Sequence, residues 1–557
     1  MNILIKFSII AAYLIYSNLE AKLFYRLDLL HHNFNGYSGI FVFSIIWAAA
    51  IYSIFLISTI KPTLIRIFVS AIFIGTTIPA FSYQLISGTE INYDNYSIMI
   101  DAALFASSAA SFYLYDILEC ILVSAFGLAG FIYLPRDFDN NSFFSFIRLN
   151  RFLRIPIIVV PFILLFVLSA LRGGYGLDGL PVQYKSLSLF SHIGLSKLIG
   201  NQTSRETVKL TPDTKTSPRH IVLIVEESVR GDFIDLNFDR GVTPSLINNQ
   251  SKIINYGLAS SATNCSAGSN FVFRTGANQT NFNQTLTQNP YIWEYAKKAG
   301  YKTIYLEAQA TEGRLNNLMS LPEKEHIDEY LYSKGDSNFE RDLDSITMLS
   351  EMLSKSEPSF IYIVKSGVHF PYEASYPSNK AIYNPHMRGG HFVKNQEEIV
   401  NSYKNAISWT INGYFEKFFE QINIDDNVII YTSDHGQNHL ENGSQLTHCS
   451  TDNVSRNEAL VPLFIITENE LYSDMFNKNR LKLLNKTSHF NIVPTVLQLF
   501  GYRKEDINLV HGHSLVESEV SIRKFLSGVV SEYRFTIGEK HIPTWNLFDE
   551  ARAISTE

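Results

Sequence analysis

Three apolar, β-rich runs beyond residue 218 end in residues able to carry chemistry. HIVLIV (220–225) runs into Glu226-Glu227-Ser228, NVIIYTS (427–433) into Asp434-His435-Gly436, and SFIYIVKS (359–366) into Gly367-Val368-His369. A further histidine, His448, follows a short polar loop. Carboxylates and imidazoles are the donors expected around a catalytic zinc. Each piece alone has a plainer reading: an acidic residue after a strand is most often a cap, and Asp-His-Gly is often only a turn. Their joint occurrence in one domain singles them out. It names no reaction by itself.

Such residues need a sheet to bring them together. Two more apolar runs, KTIYLEAQ (302–309) and VPLFIIT (461–467), read as strands buried on both faces. Helical stretches intervene at Ile292–Ala299, Gln396–Ile422 and Asn491–Phe500. This alternation predicts an α/β domain over residues 219–557, with a mainly parallel sheet sandwiched by helices. Chemistry in such sheets collects beyond the carboxyl ends of the strands, where the clusters above lie.

The rest of the chain is of another kind. With 46% hydrophobic and 18% charged residues over 557 positions, a greasy portion joined to an ordinary globular one fits the composition. Its mean hydropathy of +0.02 is high for a wholly soluble enzyme. Five membrane spans are expected within a transmembrane domain over 1–171: Ile3–Leu19, Gly39–Ile60, Ile67–Tyr83, Ile117–Leu134 and Ile155–Leu171. No small-residue cleavage site follows the first, so it reads as an uncleaved anchor. Lys61 and Arg66 join spans two and three, and Arg136, Arg148, Arg151 and Arg154 lie between spans four and five. The 84–116 segment carries no Lys or Arg, although Lys22 and Arg26 dissent in the first outer loop. The charge bias places the amino terminus inside and everything after Leu171 outside. The apolar segment Ile98–Tyr115 reads as a helix at the outer surface, a sixth span being the alternative. Residues 172–218, rich in Gly, Ser and Thr, read as a linker with short helices. A net charge of −7 without a long basic block argues against nucleic acid as the main partner. Three cysteines are too few for a disulfide-built scaffold.

At these motifs the sequence resembles the membrane-anchored phosphoethanolamine transferases of the alkaline phosphatase and sulfatase superfamily. VLIVEESVRGD (222–232) is similar to the family's first strand, whose acidic metal ligand maps to Glu227. TNCSAGSNFVFRTG (263–276) is similar to the nucleophile segment, where a cysteine precedes the nucleophile by four residues. That spacing implies Ser269, counted from Cys265, with Ser266 and Thr263 as alternatives. YTSDHGQ (431–437) supplies Asp434 and His435, and GVHFPYEASYP (367–377) supplies His369. SHFNIVPTVLQLFGY (488–502) is similar to the superfamily's final helix.

The resemblance implies one tightly bound Zn2+, with a second metal possible, held by Glu227, Asp434, His435 and the Ser269 oxygen. His369 and His448 would bind the substrate phosphate, protonate a leaving group or hold that second metal. The implied reaction moves phosphoethanolamine from phosphatidylethanolamine, through a phospho-Ser269 intermediate, to a hydroxyl of an envelope glycolipid or glycan such as lipid A, lipopolysaccharide core or surface polysaccharide. The implied place is a bacterial inner membrane with the catalytic domain in the periplasm. A phosphoglycerol transferase has the same layout and is the main alternative. A sulfatase or phosphodiesterase follows behind, because the C/S-x-P-x-R setting of sulfatases is missing. Thr275 and Arg274 replace the second cysteine and the proline usual after the nucleophile, so the family's short local disulfide cannot form. If both motifs meet at one zinc, Cys265 and Cys449 come close enough for a bridge in an oxidising compartment. Two separate buried thiols are the alternative.

Overall fold

The computed structural model describes residues 3–19, 26–27, 30–31, 37–87, 90–102, 114–133, 151–174, 177–199, 205–214, 216–310, 315–387, 395–441, 447–450, 454–528, 530 and 544–549. Among the described residues the chain divides into two compact units, the first within residues 1–201 and the second beginning at residue 202.

The first unit is helical. Among the described residues, four helices are long and apolar enough to cross a membrane: Tyr37–Ser58, Thr63–Ile86, Leu114–Ile132 and Arg154–Leu171. The expected first span is helical only over the 15 residues Ile3–Ser17. At 1.5 Å per residue that is about 22 Å, short of the roughly 30 Å hydrocarbon core, so among the described residues four of the five expected spans are long enough to cross by themselves. The short helix still packs into the bundle, with Phe7 on Phe55 and Tyr13 on Phe131. Its Lys6 ammonium donates to the carbonyls of Ser58 (2.8 Å), Gly130 (2.8 Å) and Tyr133 (2.6 Å). Arg66 donates to the Ile132 carbonyl (2.8 Å) and Arg154 to that of Thr59 (3.3 Å). Cations on the free carbonyls of helix C-termini satisfy otherwise orphaned acceptors and complement the helix dipoles. One end of the bundle is therefore the positive end.

The stretch expected as a linker contains an 18-residue helix, Val182–Ile199, that is part of this unit. Lys185 pairs with Glu90 at 2.6 Å, both buried, and the Glu90 carboxylate also accepts the Gly179 N–H. Its sequence hid it, because Gln183, Lys185, Ser186, Ser188 and His192 are polar yet buried. The described part of 98–115 is helical over Tyr93–Ala102 and again from Leu114. Residues 103–113, Lys22, Arg136 and Arg148 lie outside the described residues.

The second unit is built on a seven-stranded sheet in the order β2-β7-β6-β1-β5-β3-β4. The strands are β1 His220–Glu226, β2 Ile253–Ser260, β3 Lys302–Glu307, β4 Glu329–Tyr332, β5 Ser359–Val364, β6 Asn427–Ser433 and β7 Leu460–Ile466. β6, β1, β5, β3 and β4 are mutually parallel, whereas β7 runs antiparallel to both β6 and β2. The sheet is thus mixed. β1, β5, β6 and β7 are buried along their whole length, as unbroken Val/Ile/Leu runs require. Trp293, Tyr305, Phe360 and Tyr362 pack together under one face. The expected 396–422 helix is continuous but opens into a π-helical turn at Ile407–Asn412. A small hairpin of β8 (Lys524–Ser527) and β9 (Thr544–Leu547) follows. β8 hydrogen-bonds the segment after β2, through Leu526 N–H to Ala262 O (2.9 Å) and Asn264 N–H to Leu526 O (3.0 Å).

Candidate active site

Because β6, β1 and β5 are adjacent and parallel, they deliver Asp434-His435, Glu227 and His369 to one edge of the sheet. The turns there are tight. Gly367 has φ +52, and a Cβ on it would stand 2.4 Å from the Glu227 carbonyl oxygen. Ser228 also takes a positive φ of 63, so the chain turns sharply after Glu227. The Ser228 N–H donates to Asp434 Oδ1 (2.9 Å) and the Ser228 hydroxyl to Glu227 Oε1 (2.6 Å), which locks the β1 and β6 ends together.

Glu227, Asp434 and His435 are buried, and one ligand atom from each lies within 4.8 Å of the others. Asp434 Oδ1 accepts from the backbone N–H of Ser228 and His435, while Oδ2, equally buried, has no partner among the described residues. The His435 Nδ1–H donates to the Gly436 carbonyl (2.7 Å), since a carbonyl only accepts. The other ring nitrogen, Nε2, lies towards Glu227 Oε1 (3.4 Å) and Asp434 Oδ2 (3.7 Å). Two carboxylate oxygens and one imidazole nitrogen face one another across a buried centre. Burial, and then the negative charge of Glu227, push the Asp434 carboxyl up to about 8. A cation between them removes that conflict, and two carboxylates with one imidazole are a fitting donor set for zinc.

The hydroxyl at this centre belongs to Ser266. Its oxygen donates to Glu227 Oε1 at 3.2 Å and lies 3.0 Å from His435 Nε2. Ser266 opens the Ser266–Thr275 helix, with extended Cys265 before it. Ser269, expected here from its distance to Cys265, is a turn further along that helix and fully buried. Its hydroxyl donates to the Thr263 carbonyl and accepts the Thr263 N–H, both at 3.2 Å. Helical geometry is the reason: three residues after the first helical position, a side chain has moved along the axis and away from the centre. The Thr263 hydroxyl is likewise turned inward, donating to Cys265 O (2.6 Å).

Two more imidazoles close the arrangement. His448 stacks on His435 with ring centres 4.4 Å apart, and the exposed His369 meets His448 edge-on at 5.8 Å. Cys265 and Cys449 form a disulfide, which joins the residue before Ser266 to the residue after His448. The Cys449 N–H also donates to Asn264 O (2.9 Å), and Asn264 Nδ2 to the Ser450 carbonyl (2.8 Å). Gln309, absent from the sequence candidates, donates to Glu227 Oε2 at 3.0 Å. It sits two residues past β3, so the strand-end rule that found the other residues also applies to it.

Residues 219–502 match the sulfatase family model. Phosphoethanolamine transferase EptC of Escherichia coli (strain K12) is 25% identical over 289 residues, 49% of this chain and 49% of that protein. The chain thus spans about half the length of the curated relatives it matches. Among solved structures, the integral membrane protein lipooligosaccharide phosphoethanolamine transferase A (EptA) from Neisseria meningitidis superposes with a TM-score of 0.63 at 17% identity, covering 91% of this chain and 98% of that one. The periplasmic domain of Escherichia coli EptC in complex with Zn superposes with a TM-score of 0.50 at 18% identity, covering 62% and 97%. At these identities the structures share a fold with this chain.

Proposed function

The chain belongs to the sulfatase family, and from that membership we propose that it is a membrane-anchored phosphoethanolamine transferase with Ser266 as its nucleophile. The observation that carries this is the Ser266 hydroxyl at a helix N-terminus, within hydrogen-bond reach of Glu227 and His435. The names of the curated relatives supply the transferred group. Glu227, Asp434 and His435 would hold zinc, which supplies Lewis acidity that eases ionisation of a neighbouring hydroxyl. Ser266 is thereby the nucleophile in place of Ser269.

Ser266 attacks the phosphorus of phosphatidylethanolamine. A bond forms from its oxygen to phosphorus as the bond to diacylglycerol breaks, and the proton that the Ser266 hydroxyl gives up ends on the departing diacylglycerol oxygen. The first turn of the Ser266–Thr275 helix presents N–H groups and a positive dipole end to the phosphate. His369 and His448 are placed to hold non-bridging oxygens or to deliver that proton. In the second displacement an acceptor hydroxyl, on an envelope glycolipid or glycan, takes the group from Ser266 and gives up its proton. The membrane unit keeps the enzyme beside a donor that never leaves the bilayer. The Arg154–Leu171 span starts at the positive end of the bundle, so the positive-inside rule puts residues after 171 on the outer, periplasmic side of an inner membrane.

The test is the covalent intermediate. Purified full-length protein given headgroup-labelled phosphatidylethanolamine should carry phosphoethanolamine on Ser266 by peptide mass spectrometry. Ser266→Ala should abolish both adduct and transfer, and Ser269→Ala should keep the adduct on Ser266. An adduct mapping to Ser269 overturns the nucleophile. Phosphoglycerol taken from phosphatidylglycerol, with none from the ethanolamine lipid, overturns the donor.

A further inference from the structure

Glu227 presents one oxygen to the centre and the other to Gln309. Oε1 faces the Ser228 and Ser266 hydroxyls and His435 Nε2, at 2.6, 3.2 and 3.4 Å. Oε2 accepts the Gln309 amide N–H at 3.0 Å. We infer that Gln309 is a positioning residue for the metal ligand Glu227, fixing which carboxylate oxygen faces the shared centre. This rests on the zinc reading above.

The orientation of the Gln309 amide is dictated by its neighbours. Its Nε2 lies against two groups that only accept, Glu227 Oε2 and the Lys365 carbonyl (2.9 Å). Its Oε1 lies against two amide donors, Asn317 Nδ2 (2.9 Å) and Asn316 Nδ2 (3.3 Å). The reversed amide would set donor against donor and acceptor against acceptor, so one orientation alone is satisfied. The backbone holds the residue equally firmly. Glu307 Oε1 accepts the Gln309 and Ala310 N–H groups at 2.8 and 3.1 Å, turning the chain as it leaves β3. Gln309 therefore reaches from the end of β3, past the end of β5, to the ligand on β1.

A carboxylate can rotate end for end about its last torsion, which is a broad, two-fold one. A charge-assisted hydrogen bond to one oxygen removes that freedom and leaves the other oriented for a metal, as second-layer partners do in metal sites generally. Losing such a partner costs metal affinity even when all ligands remain.

The experiment uses the purified full-length protein, stripped with a chelator and reloaded. Zinc affinity is read by competition with a chelating dye, and ligand geometry by the visible spectrum of the cobalt(II) form. Gln309→Met, similar in volume and without hydrogen bonds, should bind zinc about 10–100-fold more weakly and alter the cobalt bands. Asn317→Ala, which frees the far side of the Gln309 amide without touching Glu227, should weaken zinc by a smaller factor; it decides the matter should Gln309→Met fail to fold. A merely structural role for Gln309 lowers the melting temperature and leaves the cobalt spectrum of the folded protein alone. Unchanged affinity and spectrum in the folded variants overturn the inference while the zinc reading stands. Wild-type protein that takes up no zinc overturns the zinc reading, and this inference with it.

Discussion

Glu227 and Asp434 each divide their two oxygens between the protein and the shared centre. For Asp434 this division separates folding from metal binding. Asp434→Asn can keep its carbonyl oxygen on the Ser228 and His435 N–H groups, but it turns an amide NH2 into the centre where Oδ2 was. The expected outcome is a folded protein whose zinc content, measured by elemental mass spectrometry, falls about tenfold or more. Full zinc occupancy in the variant would remove Asp434 from the ligand set. A second residue-scale effect lies away from that centre. Burial pushes the Glu307 carboxyl up to about 7, against the pull of the Ala310 and Gln309 N–H groups. A carboxyl that holds its proton more tightly when folded contributes stability below its unfolded pKa of 4.5 and loses it as pH rises through about 7. Glu307→Gln keeps an acceptor for both N–H groups and does not ionise. Between pH 5 and pH 8 it should lose less stability than wild type, by roughly 2–3 kcal/mol in chemical denaturation; parallel pH curves would count against this. The residue least legible in the sequence was the serine whose hydroxyl faces the shared centre. Counting four from Cys265 assumes a loop between them, whereas the helix begins immediately after Cys265 and brings Ser266 to the centre. The position of a helix's first residue is the kind of detail that a pattern of side-chain types does not hold.

At the scale of elements, the long buried strands were legible and the short ones were not. β1, β3, β5, β6 and β7 are unbroken apolar runs with polar ends. β2 carries a polar Asn255 and an irregular register before Leu258, and β4 is four residues long, so neither stands out from a loop. The same limit applies to the Val182–Ile199 helix, whose buried polar residues imitate a linker. The joint between β5 and β1 offers the sharpest test of the arrangement. Gly367→Ala sets a methyl 2.4 Å from a backbone oxygen and also holds Ala in the left-handed region. The expected cost is about 3 kcal/mol or more, with transfer activity lost alongside. Gly300→Ala, at φ +83 with nothing within 4 Å, isolates the backbone effect and should cost about 1 kcal/mol with activity kept. Equal losses in the two variants would mean that the Gly367 contact has no special weight.

For the whole molecule, topology follows from where the cations sit. Lys6, Arg66 and Arg154 meet at one end of the helical unit, an arrangement that does not depend on how many helices are counted as spans. A reporter that fluoresces only in the cytoplasm, fused after Glu557, should be dark; bright cells would invert the orientation. Cys120 is buried in the Leu114–Ile132 helix, so the only bridge among the described residues joins two positions of the second unit. Denaturing the oxidised protein with a maleimide and no reductant should leave Cys265 and Cys449 unlabelled, and full labelling of both would deny the bridge. The two cysteines are 184 positions apart, and this sets a clock on biogenesis. At roughly 5–20 residues per second of synthesis, Cys449 emerges about 10–40 s after Cys265. Throughout that interval each nascent chain, if delivered outward as proposed, carries a Cys265 thiol whose Cys449 partner is not yet made, open to pairing with a foreign cysteine. Crowded translation of this protein should therefore trap mixed disulfides through Cys265, and a Cys449→Ser chain, whose interval never ends, should accumulate them.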